Sequence, residues 1–171
     1  MEKLKLNDLC YITKLAGFEY SKYFSGCFQK SGIPLIQGKN IKNYSLDLND
    51  VHYISEELSN SLPRSKVDNN SILFCYVCNI ADCWINSKNL KLHLGSNVAK
   101  INVINKKLNP KYLFYWLQSP TRKNYILQIA KGSAQKNINM QEIRNLKIYL
   151  PNMLIQQHIV NTISSLFLKS F

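Results

Sequence analysis

Long hydrophobic runs are absent from this chain. Although 46% of its 171 residues are hydrophobic, nowhere do enough of them follow one another to cross a bilayer. What remains is a length that fits one soluble domain with a core of its own. The opening residues MEKLKLNDLCYITKL mix charge and apolar groups too finely for a secretory signal, which needs an unbroken apolar stretch after its basic start. A cytoplasmic location without membrane contact is therefore expected.

Groupings that carry chemistry are equally scarce. No glycine-rich loop follows a strand to cradle a cofactor's phosphates. The only histidines, His52, His93 and His158, are scattered, and none has a partner at a recognisable interval. Glu56-Glu57 and the lone Asp68 have no spacing that gathers acids on one strand, as metal-assisted phosphodiester chemistry requires. Asn109-Pro110-Lys111-Tyr112 approaches the Asn-Pro-Pro-Tyr motif of adenine methyltransferases, but lysine replaces the second proline. A helix start explains both residues: asparagine caps free N–H groups, and proline has no N–H to leave unpaired. No catalytic residue is assigned.

Five cysteines, Cys10, Cys27, Cys75, Cys78 and Cys83, are an odd number, which speaks against a disulfide framework. Cys75 and Cys78 have metal-site spacing, but a second pair is missing and His93 stands alone downstream. Their run, Ile72-Leu73-Phe74-Cys75-Tyr76-Val77-Cys78, reads as a buried strand in which a thiol is a small hydrophobe. No metal is expected.

Acidic residues nearly vanish from the second half. Residues 1–82 hold nine Lys or Arg against nine Asp or Glu, whereas residues 83–171 hold thirteen basic residues and Glu142 as the single acid. The net charge of +12 is thus concentrated at one end of the sequence. Such a surface favours a polyanion, because cations that neutralise phosphates release condensed counterions.

What is present has a clear order. Short apolar, β-branched or aromatic segments at 9–13, 33–37, 51–55, 72–77, 82–86 and 98–104 predict strands, with an Asn69-Asn70 turn before 72–77 and 82–86 pairing back on it across the Cys78 to Ala81 link. A helix over 111–118 follows Asn109-Pro110; Ser119-Pro120 repeats the device for a helix over 121–131 that Gly132 ends. Asn139 and Glu142 form a capping-box start for a short helix. Residues 146–150 alternate as a strand stopped by Pro151, and from Met153 a helix carries Ile155, Ile159, Ile163, Leu166 and Phe167 on one face. The class is α+β: a twisted, mostly antiparallel sheet with short helices packed on it and a C-terminal helix.

This order resembles target-recognition domains of specificity subunits in bacterial type I restriction-modification systems. Gly132-Ser133-Ala134-Gln135, the strand up to Pro151 and Gln156-Gln157 stand where that family has a loop, a strand and a helix opening. Upstream, Ile33-Pro34-Leu35-Ile36, Gly38-Lys39-Asn40-Ile41, Tyr53-Ile54-Ser55 and Asn109-Pro110-Lys111-Tyr112 also fit, so nearly the whole chain is covered. Asn70-Ser71, Ala81 and Gln156 depart from the usual Gly-Asp, Gly and Glu. The resemblance implies a recognition domain at 1–151 and, at 152–171, the start of a helical spacer or dimerisation helix. It also implies a non-catalytic subunit that reads one half of a bipartite duplex-DNA target for methyltransferase and restriction subunits. S-adenosylmethionine is then expected on the partner methyltransferase, with no cofactor in this chain.

Basic and amide side chains on loops suit such reading, since Lys and Arg hold phosphates or guanine while Asn and Gln pair with adenine. The candidates are Lys39, Asn40, Arg64, Lys66, Asn79, Ser96, Asn97, Lys131, Ser133, Gln135, Lys136 and Asn137. Ile155, Ile159, Ile163, Leu166 and Phe167 are candidates for assembly, including with a second copy. A second reading stays open: an interaction protein that does not read DNA and docks on a modification complex through its last helix.

Overall fold

The fold is described from a computed structural model for residues 2–132 and 135–168, the side chains of residues 167 and 168 aside. In chain order, β1 (Glu2–Lys5) leads into a single turn, α1 (Leu6–Leu9), then β2 (Cys10–Lys14) and α2 (Gly17–Tyr23). Next come β3 (Ile33–Ile36), β4 (Ile41–Lys42), β5 (Ser45–Leu46), β6 (His52–Ile54), α3 (Glu56–Ser61) and β7 (Lys66–Val67). Four further strands follow: β8 (Ile72–Cys75), β9 (Cys83–Ile85), β10 (Leu92–Leu94) and β11 (Val98–Val103). The chain continues through α4 (Pro110–Gln118), α5 (Pro120–Ile129), α6 (Met140–Asn145), β12 (Lys147–Leu150) and α7 (Met153–Leu168).

The α+β class and the predominance of antiparallel pairing are as expected, but the strands divide among separate sheets. One has the order β2-β11-β8-β9 and is antiparallel throughout. The other has the order β6-β3-β10-β7, with β3 and β10 parallel. β1 pairs with β12, Leu4 opposite Ile148, so segments from the two ends of the sequence close on each other.

β8 shows why two sheets form. All four of its residues are buried, and because successive side chains point to opposite faces, such a strand must be covered on both sides. Ile72 and Phe74 join the core that holds Leu113, Leu117, Ile143 and Val160, whereas Leu73 and Cys75 join the core of Leu35, Ile36 and Leu94. The helices cover the first face and the second sheet covers the other. Lys100 crosses between the sheets: its buried ammonium donates to the Lys66 carbonyl and, at 3.1 Å, to Asp68.

Local capping starts the helices as the residues dictate. Asn109 Oδ1 accepts the N–H of Lys111 at 2.9 Å, and the Asn139–Glu142 box closes in both directions at 2.9 and 3.1 Å. Ser119 differs from the expectation: it makes no cap, and its hydroxyl donates back to the Trp116 carbonyl at 2.8 Å. α5 stops at Ile129 because Lys131 leaves the helix to pair with Asn137. Gly132 (φ 118°) serves that pairing instead, since a Cβ there would lie 2.3 Å from the Gln135 carbonyl oxygen.

α7 is seated on the domain through Val160, which is buried, and through Gln156, which is fully buried. Gln156 Nε2 donates to the carbonyls of Lys107 and Pro151, both at 2.8 Å. Ile159 packs against the core, Ile163 is half-buried, and Ile155 and Leu166 are exposed. The predicted apolar stripe is thus shared between the core and the surface. The side chain of Phe167 lies outside the described residues.

Candidate nucleic-acid interface

Because β3 and β10 are parallel, both deliver the chain to the same edge, where β8 also ends antiparallel to β11. Three connections meet there. Gly38 N–H donates to the Ser96 carbonyl at 3.0 Å, Gly95 N–H to Ile36 at 2.7 Å, and Tyr76 N–H to Asn97 at 3.2 Å. The backbones approach so closely that a Cβ on Gly95 would stand 2.8 Å from the Ile36 oxygen. The loop after α5 joins them through Ile138 N–H to the Tyr76 carbonyl at 3.0 Å and Gln135 Nε2 to Cys78 Sγ at 3.1 Å.

Between these connections lies a concavity of about 380 Å³ lined by Gln37, Gly38, Lys39, Lys42, Cys78, Asn79, Ser96 and Asn97. Four expected readers, Lys39, Asn79, Ser96 and Asn97, therefore come together from segments far apart in sequence. Gln135 reaches the rim at Cys78, and Lys131, Lys136 and Asn137 stand exposed on the adjoining loop. Acids near this face are paired with lysines: Asp50 with Lys39 at 2.6 Å, Asp82 with Lys123 at 2.5 Å, and Glu142 with Lys131 at 3.4 Å. The hydrogen bond and charge of Lys39 hold the Asp50 carboxyl below its ordinary range.

Other candidates are placed elsewhere. Asn40 is buried; its Oδ1 accepts from Gln37 N–H and its Nδ2 donates to the Asp50 carbonyl, both at 2.9 Å, so its amide is occupied in holding the loop. Arg64 pairs with Glu19 and reaches Thr13, while Lys66 bonds Asn60 in a separate hollow beside Asp68 and Lys91. Asn79 lines the concavity yet also donates to the Ile41 carbonyl at 3.1 Å. Ser133 lies outside the described residues.

The cysteine pair is split by its turn. Cys75 is buried, with its thiol pushed up to about 12 chiefly by burial, and it donates to the Gly38 carbonyl at 3.6 Å. Cys78, expected inside the same strand, instead sits exposed at φ 63°. The strand ends at Cys75 because the backbone must turn through Cys78 and Ala81 (φ 68°) to start β9. Among the described residues, no cluster of three His, Cys, Asp or Glu could hold a metal ion.

Sequence reasoning missed Lys42, Gln37 and Cys78 in the lining, and the β4–β5 hairpin that carries Lys42. The hairpin's turn, Asn43-Tyr44, lacks the glycine that signals a two-residue turn.

The model of the family described as type I restriction modification DNA specificity domain matches residues 1–170. The specificity subunit of the Escherichia coli type I restriction enzyme EcoBI is 33% identical over 138 residues, which is 81% of this chain and 29% of that protein. The HsdS subunit from Thermoanaerobacter tengcongensis superposes with a TM-score of 0.71 at 16% identity, covering 98% of this chain and 37% of that one. The S subunit of a type I restriction-modification system from M. genitalium gives 0.64 at 16% identity, over 96% and 38%. At that identity the two structures speak for the fold alone, and this chain spans well under half the length of each relative.

Proposed function

Because the chain belongs to the family of type I restriction modification DNA specificity domains, we propose that it reads one half of a bipartite duplex-DNA target for partner methyltransferase and restriction subunits. The observation that carries this is the concavity, where Lys39, Lys42, Asn79, Ser96 and Asn97 converge on a backbone-bonded edge beside the exposed Lys131–Asn137 loop. Lysines at the rim suit phosphates, and amides and hydroxyls suit base edges. Chemistry is left to the partners: the methyltransferase binds S-adenosylmethionine and takes the base out of the stack, and this chain supplies the address. A cytoplasmic location accompanies that role.

The test is selection from a duplex pool randomised over the target, with the chain alone and with its modification subunits. One recurring half-site is expected, with affinity falling steeply as salt rises. No recurring sequence, with or without the subunits, defeats the reading.

A second reading, docking without DNA recognition, draws on α7. Leu154 is 83% exposed and Leu166 60%, beside the exposed Met153 and Ile155. Such side chains suit a helical partner, from a methyltransferase subunit or a second copy of this chain, with residues 152–171 as the start of the spacer. If assembly with the modification subunits persists while no duplex is selected, this reading replaces the first.

A further inference from the structure

We propose that the β4–β5 hairpin is a DNA-reading finger and that Tyr44 at its tip is a specificity-determining residue, an inference that rests on the DNA-reading role above. The hairpin turns on two residues, Asn43 (φ 49°) and Tyr44 (φ 66°), both left-handed, which is the two-residue turn whose twist matches antiparallel strands. Asparagine tolerates that conformation. A bulky side chain at the second position is a genuine outlier, because glycine adopts the same backbone without a Cβ clash. A ring kept where glycine folds better needs another use.

Packing supplies that use only in part. The Tyr44 hydroxyl reaches the Gln118 carbonyl only at a long 3.5 Å, the Lys123 ammonium stands 5.6 Å from the ring centroid, and the residue is 36% exposed. Its backbone, by contrast, is held firmly. Asp82, buried beneath the tip, accepts the Asn43 N–H at 3.3 Å while paired with Lys123 at 2.5 Å, and Asn79 Nδ2 bonds the Ile41 carbonyl at 3.1 Å. The hairpin is therefore fixed from both sides, as a reading element must be.

Position completes the argument. Lys42, two residues before Tyr44 on the same hairpin, lines the concavity with Lys39, and the Lys123 ammonium stands 5.6 Å from the centroid of the partly exposed ring. Lys42 neutralises a phosphate, and the Tyr44 ring meets a base edge, where an apolar face tells thymine's methyl from the other bases.

Tyr44→Gly separates the ring from the fold, since Asn-Gly is the favoured turn here. The variant is expected to melt at or above the parent's temperature yet to lose about tenfold in discrimination at one or two base pairs, with Tyr44→Phe keeping most of it. Lys42→Ala is expected to lower the log–log salt slope by about one while preserving the preference. If Tyr44→Gly keeps the parent's preference at every base pair, or melts several degrees lower, the inference is overturned while DNA reading stands. If the parent itself selects no sequence, both fall.

Discussion

The main-chain N–H of Asn109 donates to Gln156 Oε1 at 2.8 Å, so the residue that caps α4 is itself held by the first turns of α7. With its two bonds from Nε2 to Lys107 and Pro151, Gln156 satisfies three backbone groups that the approach of α7 takes from water. The last helix is thereby tied to the domain at its start, and it is held again farther on by the buried Val160 and by the Tyr115–Ser164 hydroxyl pair at 3.0 Å.

Gln156→Ala takes the partner from those groups, and each unsatisfied buried group costs about 1–3 kcal/mol. A loss of roughly 2–4 kcal/mol in urea unfolding is expected, allowing for partial relaxation. Stability within a few tenths of the parent contradicts this account of how α7 is seated.

His93 confers a pH dependence. Burial, with Lys100 and Lys66 also opposing a further positive charge, holds the imidazole below its ordinary value of 6.5; its Nδ1 lies 3.0 Å from the Leu94 carbonyl, and its ring meets Phe24 edge-on. Between the folded and ordinary values the unfolded chain binds the extra proton, so this contribution is whole above pH 6.5 and is lost as pH falls through the folded value. Unfolding free energy measured from pH 7.5 down to 5 is expected to decline, and His93→Phe to flatten the decline. An unchanged slope in that variant assigns the acid sensitivity elsewhere.

Lys39 and Arg64 share a charge but not a place. Lys39→Ala is expected to reduce the salt slope of duplex binding by about one, the effect of one phosphate contact. Arg64→Ala, remote from the concavity and bonded to Glu19, is expected to leave the slope unchanged. Equal effects in a salt titration of the two variants mean that the interface is drawn in the wrong place.

Thiol labelling reads the same geometry without DNA chemistry. Cys27 and Cys78 are exposed; Cys10 and Cys75 are buried with thiols pushed up to about 12, and Cys83 is buried with its thiol pushed up as well. Two cysteines are expected to react in the folded protein, counted by mass spectrometry, and a bound duplex is expected to shield Cys78 but not Cys27. Shielding of Cys27 alone puts the DNA on another face.

Much of the secondary structure was legible because its causes are local. Asn109-Pro110 and Asn139 with Glu142 satisfy helix donors two or three residues away, and residues 72–75 announce a strand covered on both faces. β1, α2, α3 and β10 escaped notice. They are short, and β1 exists because β12, more than 140 residues on, offers it a partner. In the candidate site, Asn40 and Asn79 look alike in the sequence, yet one is buried with both ends of its amide occupied and the other lines the concavity.

The sequence by itself determined the family, the class of fold, the basic second half and the order of caps and breaks, since these depend on composition and near neighbours. The tertiary structure alone decided which polar residues face one concavity. Gly38 meets Ser96, and Gln135 meets Cys78, through contacts that no local pattern encodes. A side chain becomes a reader or a strut according to whether its hydrogen bonds are already taken, and only packing settles that.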